Sequence, residues 1–285
     1  MKTNRILIIT AGLFILAGAV IAGIALMLTA RSSEQNARME TYEVTEKISN
    51  VNIDVNMSDI KIMPVMGTDK ITLTYFTDDT NKYDISEDNG TLSVKYVKFN
   101  KEKAKWYDYY FSFDFSRDHD VILQVPKNFR ADLLLHADYG DIEVTDMSGD
   151  SMNIHTSYGD LDITGCKFKA MECATDYGDI DIERSQSDTF NCSTDFGSID
   201  VTDTAGKINC GTDYGDIEFE RISGASIVMD TSCGDIEGTI DGREADYTIN
   251  AQTNLGDKNV QSRAGGEKRL DVKTDMGDID IIFLK

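Results

Sequence analysis

The chain has 285 residues, of which 41% are hydrophobic, and a formal net charge of −22. Its first 31 residues hold only the charges of Lys2, Arg5 and Arg31, so the rest of the chain carries −25. A body this acidic repels phosphate groups, which excludes nucleic acid as a partner and favours cations or basic partners. The alternative interpretation is that the charge only keeps an extended β protein soluble.

The N-terminal segment Ile6 to Thr29 contains 24 residues without a charge, and about 20 helical residues cross a bilayer core. The residues before Arg31 make a poor signal-peptide cleavage site, so we expect an uncleaved membrane anchor over residues 1–31. Lys2 and Arg5 precede the span, which predicts a cytoplasmic N-terminus and an extracellular body. The expected location is the cell membrane, with a single pass.

Residues 32–47 are polar and predict a short tether. Residues 48–130 alternate apolar and polar positions, as in VNIDVNMSDIKIM and KITLTYF, with turn signals such as EDNG between the stretches. This predicts a β-rich N-terminal zone, in which VNMSDIKI is a faint copy of the octet repeated in residues 131–285.

The octet TDYGDIDI, at Thr175 to Ile182, has eight versions in the last zone. Positions seven and five before each central glycine, and two and four after it, are apolar with few exceptions, of which Gly238 and Lys258 are two. A fixed period near 20 residues is typical of a solenoid. The central glycines are Gly140, Gly159, Gly178, Gly197, Gly215, Gly234, Gly256 and Gly277.

We therefore predict an all-β protein whose residues 131–285 form a parallel β-solenoid of about eight coils, with a period of about 19 residues. Two short strands per coil meet at a corner, where the glycine is expected at positive φ. Lys258 would interrupt the interior, so the C-terminal coils should exchange their amide hydrogens first. Cys173, Cys192 and Cys210 share one interior column and predict buried packing.

The strongest candidate for a metal site is a column of acidic residues directly after the corner glycines. Stacked like charges repel, and calcium bridging adjacent coils would relieve this repulsion. The alternative is a solvated, aspartate-rich turn edge. Calcium is the one cofactor that the sequence suggests. The candidate ligands are Asp141, Asp160, Asp179, Asp216 and Asp235.

Two further groups of side chains have unusual positions. His136 and His155 lie four residues before their glycines, but no third ligand follows in that column, which favours coincidence over a metal site. The aromatic segment KWYDYYFSFDFS first breaks and then keeps β alternation, so we expect it to be partly core and partly contact surface. Its candidate partner-contact residues are Trp106, Tyr107, Tyr109 and Tyr110.

The apolar start, the zone ending in VILQVPKNF and the repeated YGDI coils resemble the bacterial "putative adhesin" domain family over roughly residues 48 to 285. The resemblance implies a β-solenoid exposed at the cell surface and supplies no catalytic residues. We expect a non-enzymatic, adhesin-like binding or scaffolding protein whose partner is an envelope protein or a wall polymer. The alternatives are a sensor of envelope stress and a carbohydrate-active β-helix enzyme. The sequence does not determine the oligomeric state.

Overall fold

A computed structural model describes residues 38–77, 82–97 and 120–285. The larger of two compact units comprises Thr41–Tyr75, Asp84–Tyr96 and His119–Lys285. The smaller unit has few described residues; among them, the backbone N–H of Val97 donates to the carbonyl of Lys82 at 2.8 Å. The predicted membrane span, Ile6 to Thr29, lies outside the described residues. Within the described ranges, no helix is long and apolar enough to cross a membrane.

The described residues form strands and one short 3-10 helix, Glu244–Asp246. The strands are β1 (Arg38–Glu43), β2 (Asn50–Val55), β3 (Ile60–Val65), β4 (Thr72–Thr77), β5 (Tyr83–Asp88), β6 (Thr91–Tyr96), β7 (Val121–Pro126), β8 (Asp132–Ala137), β9 (Ile142–Thr145), β10 (Ser151–Thr156), β11 (Leu161–Thr164), β12 (Lys167–Tyr177), β13 (Ile180–Glu183), β14 (Gln186–Phe196), β15 (Ile199–Thr202), β16 (Ala205–Tyr214), β17 (Ile217–Cys233), β18 (Ile236–Ile240), β19 (Tyr247–Leu255), β20 (Lys268–Met276) and β21 (Ile279–Phe283).

Most strands belong to two parallel stacks, one on each side of the repeated corner. The pre-corner face has the order β6, β2, β8, β10, β12, β14, β16, β17, β20, β19. The post-corner face has the order β7, β3, β9, β11, β13, β15, β17, β18, β21. Equivalent residues of successive repeats pair in register, as Ile154 does with Cys173. This arrangement is consistent with the predicted parallel β-solenoid.

The core consists of the apolar columns that the repeat predicts. On the post-corner face, Ile142, Leu161, Ile180 and Ile199 expose none of their surface. On the pre-corner face, Phe190 and its column neighbours are buried in the same way. Full burial of one such side chain contributes about 1.5–3 kcal/mol, so the stacked columns are a main source of stability.

The spatial order of the last two coils differs from their order in the chain. Strand β20 pairs with β17 on one side and with β19 on the other, and β21 pairs with β18. The coil of Gly277 therefore lies inside the coil of Gly256. The C-terminal residues therefore do not form the outermost coil, because β20 is hydrogen-bonded on both sides.

The outermost coil is covered and its lysine is hydrogen-bonded. The ammonium of Lys258 donates to the carbonyl oxygen of Ala251 at 2.5 Å. The buried part of this side chain therefore has a hydrogen-bond partner within its own coil. Ile249 in β19 and Arg263 exchange two antiparallel backbone hydrogen bonds of 2.8 Å. This pairing blunts a sheet edge that would otherwise invite another strand.

Strands β2, β3, β6 and β7 of the N-terminal zone belong to the same stack as the later coils. Strand β2 pairs with β8, and β3 pairs with β9. Both faces therefore include strands from each side of the domain boundary that the sequence predicts between residues 130 and 131. Ser58 stands where later coils have glycine, as the faint copy VNMSDIKI indicates. Strand β4 runs antiparallel to β7 at this end of the post-corner face.

Candidate binding surface

Where the octet has a threonine, its hydroxyl ties the corner to the neighbouring coil of the stack. The buried hydroxyl of Thr194 donates to the carbonyl oxygen of Gly178 at 3.0 Å. A buried carbonyl without a partner is costly, so this bond stabilises the corner. The same bond is made by Thr156, Thr175, Thr212, Thr231, Thr253 and Thr274.

The glycine of the octet allows two main chains to approach closely. A Cβ atom at Gly178 would lie 2.0 Å from the carbonyl oxygen of Gly159, which no real side chain tolerates. The expectation of positive φ at the corners is wrong, since among the eight corner glycines only Gly277 has a positive value, at 159°. Glycine is required by the space between coils, not by a left-handed backbone.

The aspartate after the glycine is a structural hydrogen-bond acceptor. Each carboxylate Oδ1 accepts from the backbone N–H of the equivalent residue in the next coil, as Asp141 does from Asp160 at 2.9 Å. Such charge-assisted bonds are stronger than neutral ones and offset repulsion within the column. The acceptors are Asp59, Asp141, Asp160, Asp179, Asp216, Asp235 and Asp278.

This role changes how the proposed calcium column is interpreted. One oxygen of each of Asp141, Asp160, Asp179, Asp216 and Asp235 is already bonded to the main chain. Within the described part of the chain, no three acidic, histidine or cysteine side chains are arranged to hold a metal ion. Calcium binding stays a prediction for titration to test.

The tyrosine of the octet faces solvent and forms a distinctive surface along the described coils. We name as the aromatic ridge the five rings of Tyr139, Tyr158, Tyr177, Phe196 and Tyr214. Successive ring centroids are 4.9–5.0 Å apart and the planes differ by 2–6°. Each residue of the ridge is 46–55% exposed. The strand spacing imposes this stack, and the corner turns the rings away from the core.

The ridge extends along the corner with smaller apolar side chains. Cys233 pairs with Tyr214, Met276 with Cys233, and Leu255 with Met276, so these residues continue the same column. Met276 and Leu255 are 51% and 69% exposed. A contiguous apolar strip of this kind marks an interaction site more often than scattered exposed residues do.

Carboxylates surround the ridge. An aspartate directly precedes four of its five rings, and another follows two positions later in four of the five coils. The post-corner face beside it carries a further in-register column of Glu143, Asp162, Asp181, Asp200, Glu218, Glu237 and Asp280.

This further column is under electrostatic strain. Partial burial, together with the neighbouring Asp200 and Asp162, raises the pKa of Asp181 to about 6. Burial and the charge of Glu143 raise the pKa of Asp162 in the same direction. A positive charge placed beside this column would therefore relieve the repulsion between its carboxylates.

The two histidines stack on each other, with ring centroids 5.4 Å apart. His136 also lies 3.4 Å from a carboxylate oxygen of Asp138. They are neighbours because their strands pair in register, as the shared column predicted.

Four of the five cysteines, all except Cys233 in the ridge column, are packing residues. Cys173, Cys192 and Cys210 are buried in one column, and all five cysteines are free. Hydrogen bonding to Cys192 together with burial raises the pKa of Cys173 and Cys210 well above its ordinary value. Burial raises the pKa of Cys166 to about 12. The hydrogen bonds of Cys173 and Cys210 lower the pKa of Cys192 in the middle of the column. All of these thiols are enclosed by the core, and buried cysteines that no reactant reaches are inert.

The predicted contact residues Trp106, Tyr107, Tyr109 and Tyr110 lie outside the described residues. The aromatic ridge was not among the candidate sites, although its signal is visible in the sequence. The position before each corner glycine is aromatic in five successive coils, and strand stacking brings equivalent positions together.

Solved structures with some similarity include two described as a "putative adhesin". The one from Bacteroides fragilis has 12% identity and a TM-score of 0.40, covering 86% of this chain and 97% of that chain. The one from Parabacteroides merdae has 13% identity and a TM-score of 0.44, covering 86% and 96%. A "putative cell adhesion protein" from Clostridium sporogenes has 8% identity and a TM-score of 0.26, covering 87% and 99%.

No curated protein matches the sequence. The family described as Toastrack DUF4097, a domain of unknown function, matches residues 48–282. This match includes every coil of the stack and the strands of the N-terminal zone from β2 onwards. The chain belongs to the Toastrack DUF4097 family.

Proposed function

We propose that the chain is a non-enzymatic binding or scaffolding module at the cell surface, adhesin-like and anchored in the membrane through Ile6 to Thr29. The observation that carries the proposal is the aromatic ridge, an exposed and ordered apolar strip about 20 Å long. Exposing five large rings costs solubility and adds little to the core, so a partner that covers them explains their presence.

The regularity of the stack also favours binding over catalysis. Solenoids present long, uniform faces that suit extended partners. An active site needs a local group of unlike residues, such as a nucleophile beside a base. The repeated corners supply the same threonine, glycine and aspartate at most levels, and these groups are engaged in holding the coils together.

Capture from an envelope extract tests the binding function. The full-length chain in mild detergent is compared with Tyr158→Ser/Tyr177→Ser, which interrupts the ridge. The matched control is Leu134→Ser/Ile282→Ser, which removes two apolar side chains of similar exposure, 50% and 54%, away from the ridge. We expect specific capture by wild type and the control, and loss by the ridge variant. Equal capture by all three, or turnover of a polysaccharide by the purified chain, would contradict the proposal.

Protease treatment of intact cells tests the anchor. An extracellular body is digested and leaves a small membrane-embedded fragment. A body that is protected until the cells are lysed would show that the orientation is wrong.

A further inference from the structure

We propose that the aromatic ridge receives a basic amphipathic helix of a protein partner. This inference rests on the proposed function, because it requires the ridge to be the binding surface. It adds the shape and the charge of the occupant, which follow from two independent features of the ridge.

The first feature is the spacing of the rings. Neighbouring rings are 4.9–5.0 Å apart, while an α-helix advances about 5.4 Å per turn. A helix lying along the ridge would therefore place one apolar side chain beside each ring and drift by only about 2 Å over the whole ridge. An extended strand presents side chains on one face about 6.6–6.8 Å apart. The side chains of such a strand would therefore move out of step with the rings by nearly 2 Å at every ring, and after two or three rings they would no longer face them.

The second feature is the charge on both sides of the rings. Asp138, Asp176, Asp195 and Asp213 precede the ridge residues, and Asp141, Asp160, Asp179 and Asp216 follow them two positions later. Within the described part of the chain, only Asp138 of these eight has a basic neighbour, His136. Lysine and arginine side chains flanking the apolar stripe of a helix would meet these carboxylates along both flanks.

Two other occupants fit less well. A second copy of this chain matches the spacing, but it brings the same carboxylates and a net charge of −22, which opposes association. A polysaccharide binds aromatic side chains by stacking on their faces, and the ring faces here are covered by the neighbouring rings at 4.9–5.0 Å. The accessible ring edges suit aliphatic side chains.

The test uses two labelled peptides of identical composition, each about 18 residues long, built from leucine, lysine and alanine. One places leucine on a single stripe at helical spacing with lysine on both flanks, and the other alternates leucine and lysine to favour a strand. Fluorescence anisotropy measures their affinity for the full-length chain in mild detergent, with detergent alone as the blank. The same protein variants are used as in the capture experiment.

We expect the helical peptide to bind about tenfold more tightly than the alternating one. Tyr158→Ser/Tyr177→Ser should lower its affinity about tenfold, Leu134→Ser/Ile282→Ser should leave it unchanged, and added salt should weaken it. Equal or tighter binding of the alternating peptide would overturn the helical occupant but not the proposed function. Failure of both peptides to bind in a ridge-dependent way would also overturn the helical occupant. The proposed function would still be tested separately, by capture from the envelope. Ridge-dependent dimerisation in sedimentation, or ridge-dependent polysaccharide binding, would assign the ridge to another occupant.

Discussion

The Oδ1 atom of Asp160 accepts a hydrogen bond of 2.8 Å from the backbone N–H of Asp179, its equivalent in the next coil. This contact explains why a column of like charges persists through most of the stack. Each carboxylate holds the main chain of its neighbour, and that attraction offsets repulsion between the charges. The aspartates are part of the corner itself.

Replacing one acceptor should separate the hydrogen bond from the charge. Asp179 accepts from the backbone N–H of Ser198 at 2.7 Å. Asp179→Ala leaves that N–H without its partner and should lower the free energy of unfolding by about 1–2 kcal/mol in urea denaturation. Asp179→Asn keeps an acceptor oxygen and should cost less. Asp188→Ala, at an exposed position outside the column, is the control. An equal decrease in the free energy of unfolding for the alanine and asparagine variants would show that the charge of Asp179, not its hydrogen bond, stabilises the corner.

The corner glycines should be intolerant of even one methyl group. Gly178→Ala places a Cβ atom 2.0 Å from a carbonyl oxygen, so the coils must separate, and we expect a loss of about 3 kcal/mol in the free energy of unfolding. Gly211→Ala is the matched control, because its Cβ would meet only the carbonyl oxygen of Asp230, at 3.6 Å. That variant should be neutral or slightly more stable. Similar losses for both variants would contradict the close-approach argument.

The carboxylate column on the post-corner face should make stability depend on pH. The pKa of Asp181 is raised from 3.8 to about 6 in the folded protein, so the folded state holds the proton more tightly than the unfolded state. Its contribution to stability is therefore full below about pH 4 and is lost as the pH rises through about 6.

Asp181→Asn removes this penalty. At pH 7 the variant should be more stable by about 1 kcal/mol, after allowance for solvent screening, and the gain should vanish near pH 4. Thermal or urea denaturation at both pH values measures the difference, with Asp188→Asn as the control. A gain that is independent of pH would refute the electrostatic explanation.

The inserted C-terminal coil should be more protected than the coil that precedes it in the chain. Strand β20 is paired with a strand on both sides. Strand β19 is outermost, and its outer edge is paired only with a short segment around Arg263. We expect amide hydrogens of β20 to exchange more slowly than those of β19. Faster exchange in β20 would mean that the last two coils stack in chain order.

Sequence reasoning was successful where the repeat itself carries the information. The apolar columns of Ile142 and Leu133 and the burial of Cys173 follow from period-2 alternation, and the structure confirms them. The role of Gly178 was misjudged, because a sequence shows that a side chain is absent but not whether backbone angle or space requires it. Close approach becomes visible only when the neighbouring coil is in place.

The order of the coils could not be derived from the pattern. Most octets, those of Gly256 and Gly277 included, have the same threonine, glycine and aspartate, so the coil of Gly277 can stack on that of Gly234 as well as the coil of Gly256 can. The longer spacings around Gly256 were the only sign of a rearrangement. The aromatic ridge was not predicted for a different reason, since the sequence does not show whether the ring before each corner glycine faces the core or solvent.

Photo-crosslinking in intact cells tests most directly whether the aromatic ridge is the binding surface. A photoreactive amino acid replaces Tyr177 on the ridge or, as the comparison, exposed Leu134 on the pre-corner face. We predict a discrete crosslinked protein adduct from position 177 and none from position 134. An adduct from position 134 alone, or no adduct from position 177, would contradict the central claim.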